Sequence, residues 1–149
     1  MTLVIPYGIR LAGDEGRVET VPVAYIRVRY GAFEIPGIFV VDSGATTTLL
    51  PASDADELGI SLKKGGERVA IQGATGHVLM GCRHRVDMVI DNFFLHAVPV
   101  IFARAKNIPR VLGREGVFSR FGILFDEARR RTALLDAHKE RKAIDGLLS

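Results

Sequence analysis

The sequence predicts one mostly β domain with one or two short helices, and three observations carry that prediction. Its apolar runs are short and rich in Val, Ile, Phe and Tyr, and several alternate with polar residues at the period of a strand. Helix-start and helix-stop signals enclose only brief segments. A chain of 149 residues, 48% of them hydrophobic, fills one core and leaves little room for a second.

The elements follow in order. The opening MTLVIPYGIRLAGDEG has no basic region ahead of an apolar one, and Pro6, Gly8 and Arg10 interrupt it, so it does not read as a secretory signal. Residues 18–30, VETVPVAYIRVRY, read as a strand in which Ala24, Ile26, Val28 and Tyr30 alternate with Tyr25, Arg27 and Arg29. Gly31 opens a turn region that Pro36-Gly37 closes, after which IFVV delivers Asp42-Ser43-Gly44 at a strand end. TTLLP continues extended, and PASDADELGI has a helix start at Ser53 or Asp54 and a stop at Gly59, enough for two turns. ERVAIQ, GHVLMG and HRVDMVI are β-like; Asp91-Asn92 is a turn, and FFLHAVPVIFA is a strand pair or one long strand. After KNIPR come an apolar pair ending at Gly113, a short helix over residues 114–119, and strands FGILFD and TALL joined by EARRR. The domain spans residues 1–149, with a core at about 18–136 and a tail, 137–149, that forms at most a marginal amphipathic helix.

Composition excludes several function classes. The net charge of +3 owes much to EARRRTALLDAHKERK, where acids are interspersed and no aromatic residue interleaves with the bases, the pattern of a solvated face rather than a nucleic-acid surface. No apolar run approaches the roughly 18 residues of a membrane span. The single cysteine, Cys82, forbids an intrachain disulfide. The expectation is a cytoplasmic protein without nucleic-acid or membrane partners.

Residues 73–76, Gly-Ala-Thr-Gly after an apolar run, pose a choice between a phosphate-cradling loop and a hairpin tip. A dinucleotide site needs that loop between a strand and a helix within alternating β and α units. Here HVLMGCRHRVDMVI follows, β-branched and broken by Gly81, and the next segments are again strands. The hairpin reading is preferred. Cys82, His84, His77 and His96 show no recognised zinc spacing, and Ser43 lacks the G-x-S-x-G elbow of a serine nucleophile, so neither metal nor cofactor is expected.

The remaining motif is Val40-Val41-Asp42-Ser43-Gly44-Ala45-Thr46-Thr47-Thr48-Leu49-Leu50, an apolar strand ending in Asp-Ser-Gly-Ala and resuming with Thr and Leu. With Val111-Leu112-Gly113 downstream, it resembles the retropepsin-like aspartic proteases, the family of the retroviral proteases and their bacterial relatives. The matched order of motifs covers residues 18–136. The resemblance implies a closed, orthogonal β-barrel-like acid protease fold, with residues 71–81 as a flap closing over bound peptide. It assigns catalysis to Asp42, a hydroxyl lattice between active-site loops to Ser43, and close backbone passage to Gly44. Ala45 leaves room for substrate backbone, Ile71 and Val78 line the pocket, and Gly73, Ala74, Thr75 and Gly76 form the flap tip. Val111, Leu112 and Gly113 pack beneath the active-site loop. Arg114 follows, but the position where several retroviral members place its aspartate partner is Thr46 here, which leaves its role open.

This chemistry needs two carboxylates sharing one proton, one acting as general base on water and the other as general acid. No other aspartate of the chain sits in an Asp-Ser/Thr-Gly setting, so the second carboxylate must come from a second copy. The implied protein is a twofold homodimeric endopeptidase acting on peptide or protein substrates, without cofactor. The alternative is the same fold serving as a dimerising or peptide-binding module without useful catalysis.

Overall fold

Strand-forming sequence dominates the computed structural model, which describes residues 2–12, 15–73 and 75–149. In chain order come β1 (Leu3–Pro6), β2 (Gly8–Ala12), β3 (Arg17–Val21), β4 (Val23–Tyr30), β5 (Phe33–Val41), β6 (Thr48–Pro51) and α1 (Ala52–Glu57). Then follow β7 (Glu67–Gln72), β8 (Val78–Ile90), β9 (Phe93–Ala103), β10 (Val111–Leu112), β11 (Phe121–Asp126), β12 (Arg131–Asp136) and α2 (Arg141–Leu148). Among the described residues no helix is long and apolar enough to cross a membrane.

Seven strands form the main sheet in the order β4-β5-β10-β6-β9-β8-β7, and β4 also pairs with β8, so the sheet closes on itself as a ring. The 13 residues of β8 make this possible. Its first half pairs with β7 and its second half with β4, while β9 takes the other edge. A register shift between Val86 and Met88, opposite Ala97 at φ 50°, bends this long hairpin where the ring needs curvature. Alternation along β4 sends Ala24, Ile26 and Val28 into the ring, where they meet Phe39, Met88 and Phe102. Each of these side chains larger than alanine contributes roughly 1.5–3 kcal/mol on burial.

The ends of the chain build a second sheet, ordered β1-β12-β11, whose buried side carries Ile5, Phe121 and Leu134. The tail returns to it through α2, where Ile144 lies over Gly122. At the end of β12 the Asp136 carboxylate accepts the N–H groups of Lys139 and His138, which hold its pKa below the ordinary carboxylate value.

Several expectations are corrected. Residues 18–30 make two strands, broken at Pro22: β3 folds back on β2 as a separate ribbon, and β4 enters the ring. β1 and β2 are strands in a segment where the sequence predicts none. The turn after β4 is only Gly31-Ala32, and Pro36-Gly37 lie inside β5, opposite Arg27 and Ile26. Pro36 is tolerated because β10 reaches β5 only at Val40 and Val41, so the outer edge at Pro36 requires no N–H. Gly37 is required because a Cβ there would sit 2.8 Å from the Phe39 ring and 3.0 Å from Arg110 Cδ. The helix expected over 114–119 reduces to a turn followed by a 3₁₀ helix at Phe118–Arg120, whereas FFLHAVPVIFA takes the second of its two expected forms, one long strand.

Candidate active site

Asp42 emerges where β5 runs out of partners. The Val41 N–H donates to Pro22 O at 2.9 Å and the Asp42 N–H to Leu112 O at 3.1 Å, so the strand is held to its last residue. The chain then turns sharply through Ser43-Gly44, with the Ala45 N–H donating to Asp42 O at 3.2 Å. The Gly44 N–H donates to Asp42 Oδ1 at 2.8 Å, which orients the carboxylate. A Cβ at Gly44 would lie 3.1 Å from that oxygen, so glycine is favoured there by space. Asp42 and Ser43 are both exposed in the single chain.

Beneath this loop runs the Val111-Leu112-Gly113 segment. Val111 and Leu112 pair parallel with Val40 and Val41, and Val111 also faces Leu49 of β6, so β10 is wedged between the strands that enter and leave the loop. The residues after β10 clamp the loop from outside. Arg114 N–H donates to Ala45 O at 3.0 Å, Glu115 N–H to Thr46 O at 2.9 Å, and Gly113 N–H to the fully buried Thr48 hydroxyl at 3.0 Å. Glu115 Oε2 accepts the Thr47 hydroxyl at 2.9 Å. The Arg114 guanidinium reaches Thr46 Oγ1 at 3.4 Å, so the residue in the acidic partner's place is a weak acceptor for it.

The Thr48 hydroxyl gives a stability test of this clamp. In Thr48→Val the shape is kept but the buried Gly113 N–H loses its acceptor, and denaturant unfolding should show a loss of about 1–3 kcal/mol. A change under about 0.5 kcal/mol would mean that the bond is dispensable.

Between this loop and the β7–β8 hairpin lies a cleft of about 460 Å³. Asp42, Ala45, Ile71 and Val111 line it, as do residues that sequence reasoning missed, among them Thr47, Arg83, Ile101 and Glu115. Thr75, Gly76 and Gly73 stand at the exposed hairpin tip, closed by bonds from Gly73 N–H to His77 O (3.1 Å) and from Gly76 N–H to Gly73 O (2.9 Å), with Gly76 at φ 80°. They do not line the cleft of the single chain. Ala74 lies outside the described residues. Val78, paired with Gln72 and 63% exposed, is also outside the lining.

A larger depression of about 620 Å³ lies over β4 and β5 around Arg110, but that guanidinium is already held by Asp54. Among the described residues no three His, Cys, Asp or Glu side chains converge as metal ligands. Cys82 instead meets Leu62 O at 3.7 Å, and His84 packs edge-on against Phe102.

A family model described as "gag-polyprotein putative aspartyl protease" matches residues 34–115. That span runs from β5 to Glu115 and encloses Asp42, the β7–β8 hairpin and Val111-Leu112-Gly113. The chain is also similar to a solved retropepsin-like aspartic protease from Rickettsia conorii, with 20% identity, a TM-score of 0.61, and coverage of 90% of this chain and 98% of that one. At that identity the likeness shows the fold. No curated protein matches the chain.

Proposed function

The chain belongs to the retropepsin-like aspartic protease family, and from that premise we propose that it is an endopeptidase whose catalytic unit is a twofold homodimer built around two copies of Asp42. The observation that carries the proposal is the Asp42 carboxylate itself. It stands exposed at a strand end, open to a cleft, with one oxygen fixed by the Gly44 N–H. Among the described residues the cleft holds one other carboxylate, that of Glu115, which accepts the Thr47 hydroxyl, so on this reading the partner carboxylate comes from another copy.

Two carboxylates about 3 Å apart cannot both ionise readily and share one proton. The ionised one takes a proton from water as it attacks the peptide carbonyl, and the protonated one gives its proton to the carbonyl oxygen. The pair titrates as a unit. The β7–β8 hairpin excludes water by closing over the substrate, and Leu49, Ile71, Ile101 and Val111 give the cleft apolar walls for an extended peptide.

The test is cleavage of a diverse peptide mixture, read by mass spectrometry from about pH 3 to about pH 8, at protein concentrations where sedimentation shows a dimer. Wild type should cleave, and Asp42→Asn should lose on the order of 10³-fold in rate. Peptide binding without turnover by a confirmed dimer would replace this reading with that of a peptide-binding module.

A further inference from the structure

We propose that Arg83 makes the cleft selective for peptides carrying an aspartate or glutamate side chain at the position lying against β8, an inference that rests on the protease reading above. Along β8 the side chains alternate. Met80 and Cys82 line a separate cleft with Leu62 and Phe102, whereas Arg83 lines the Asp42 cleft with Ile71 and Ile101. In register, Arg83 lies between Glu67 on β7 and Ile101 on β9.

Two carboxylates besides Asp42 lie near this guanidinium, those of Glu115 and Glu67. Glu115, the other charged group in the lining besides Asp42, accepts the Thr47 hydroxyl. Glu67, directly across the strand pair, is exposed and forms no ion pair with it. Among the described residues Arg83 is therefore a cation without a carboxylate partner, in a cleft whose other walls are largely apolar. A guanidinium presents parallel donors that match a carboxylate, and a peptide covering the cleft removes the water that weakens the pair. Glu67, directly across the strand pair, is an internal carboxylate placed to compete with a substrate's for this guanidinium.

Paired peptides differing only by Glu or Gln at each successive position test this, with kcat/KM measured for wild type, Arg83→Gln and Glu67→Gln. Wild type should favour Glu over Gln about tenfold at one position. Arg83→Gln should bring that ratio close to one, and Glu67→Gln should raise it, opposite shifts that general damage to the cleft would not give. The same ratios read as Kd on the Asp42→Asn dimer, by fluorescence anisotropy, separate this inference from the catalytic one. Turnover without Glu preference, or a preference that survives Arg83→Gln, overturns the role of Arg83 and leaves the protease reading standing. An absence of turnover with an Arg83-dependent preference in Kd does the reverse.

Discussion

Replacing Arg110 with alanine is expected to destabilise the protein by about 3–5 kcal/mol. Its guanidinium holds the Asp54 carboxylate through two bonds of 2.7 Å, Nε to Oδ2 and Nη2 to Oδ1. The Asp54 side chain is 1% exposed and that of Arg110 33% exposed. Hydrogen bonding to Asp54 outweighs partial burial and raises the Arg110 pKa above its ordinary value. Removing the cation leaves a buried carboxylate with no other donor among the described residues. That carboxylate is left buried without its counter-charge, which costs most of the pair's desolvation.

The asymmetry of the pair sharpens this expectation. Asp54→Asn leaves the charge on the partner that already reaches water, so its cost should be smaller, about 1–2 kcal/mol. The double variant Arg110→Met with Asp54→Leu should recover part of the loss, because no charge is left buried. Urea unfolding of the three variants decides the point, and a cost under about 1 kcal/mol for Arg110→Ala would show that the carboxylate is rehydrated cheaply. The site should feel the change as well. Arg110 O accepts the Val40 N–H at 2.9 Å, one residue before β10 passes beneath Asp42.

What was legible in the sequence follows from where each residue gets its meaning. Asp42-Ser43-Gly44 and Val111-Leu112-Gly113 were legible through their resemblance to the motifs of a known family, and at Gly113 a close backbone crossing supplies a local physical reason for the residue type. The strand β1 was not. LVIP is four residues long, and only its pairing with β12, at the other end of the chain, makes it a strand. Pro36-Gly37 carried a genuine local turn signal. The tertiary setting overrode it, through an unpaired strand edge at Pro36 and the Arg110 stem lying over Gly37. Ile71 and Val78 were expected together in the pocket, yet Ile71 faces Leu79 and Val78 faces Gln72 in the hairpin register, so they belong to successive, oppositely directed pairs. Arg83 and Glu115 reach the cleft through strand register and the turn after β10, which no local pattern encodes.

Gly113→Ala should damage the active-site loop directly, lowering kcat/KM by about 10²-fold or more while costing about 2–3 kcal/mol of stability. A Cβ there would lie 2.5 Å from the Thr47 carbonyl carbon, 2.7 Å from its oxygen and 2.9 Å from Thr48 N. All three are backbone atoms, so no change of rotamer relieves the clash. The loop cannot simply step aside either, because Ala45 O and Thr46 O are bonded to the N–H groups of Arg114 and Glu115 just beyond the glycine. Roughly 1 Å of displacement would pass into the turn that orients Asp42, and an error of that size is enough to disrupt a shared-proton pair. Gly44→Ala is the control. Its Cβ would meet only the Asp42 Oδ1 atom, at 3.1 Å, a side-chain contact that a small rotation eases, so its stability loss should be the smaller of the two. Thermal unfolding and peptide cleavage on both variants decide the matter. If Gly113→Ala melts like wild type and cleaves within tenfold of it, β10 is not the rigid floor of the active-site loop.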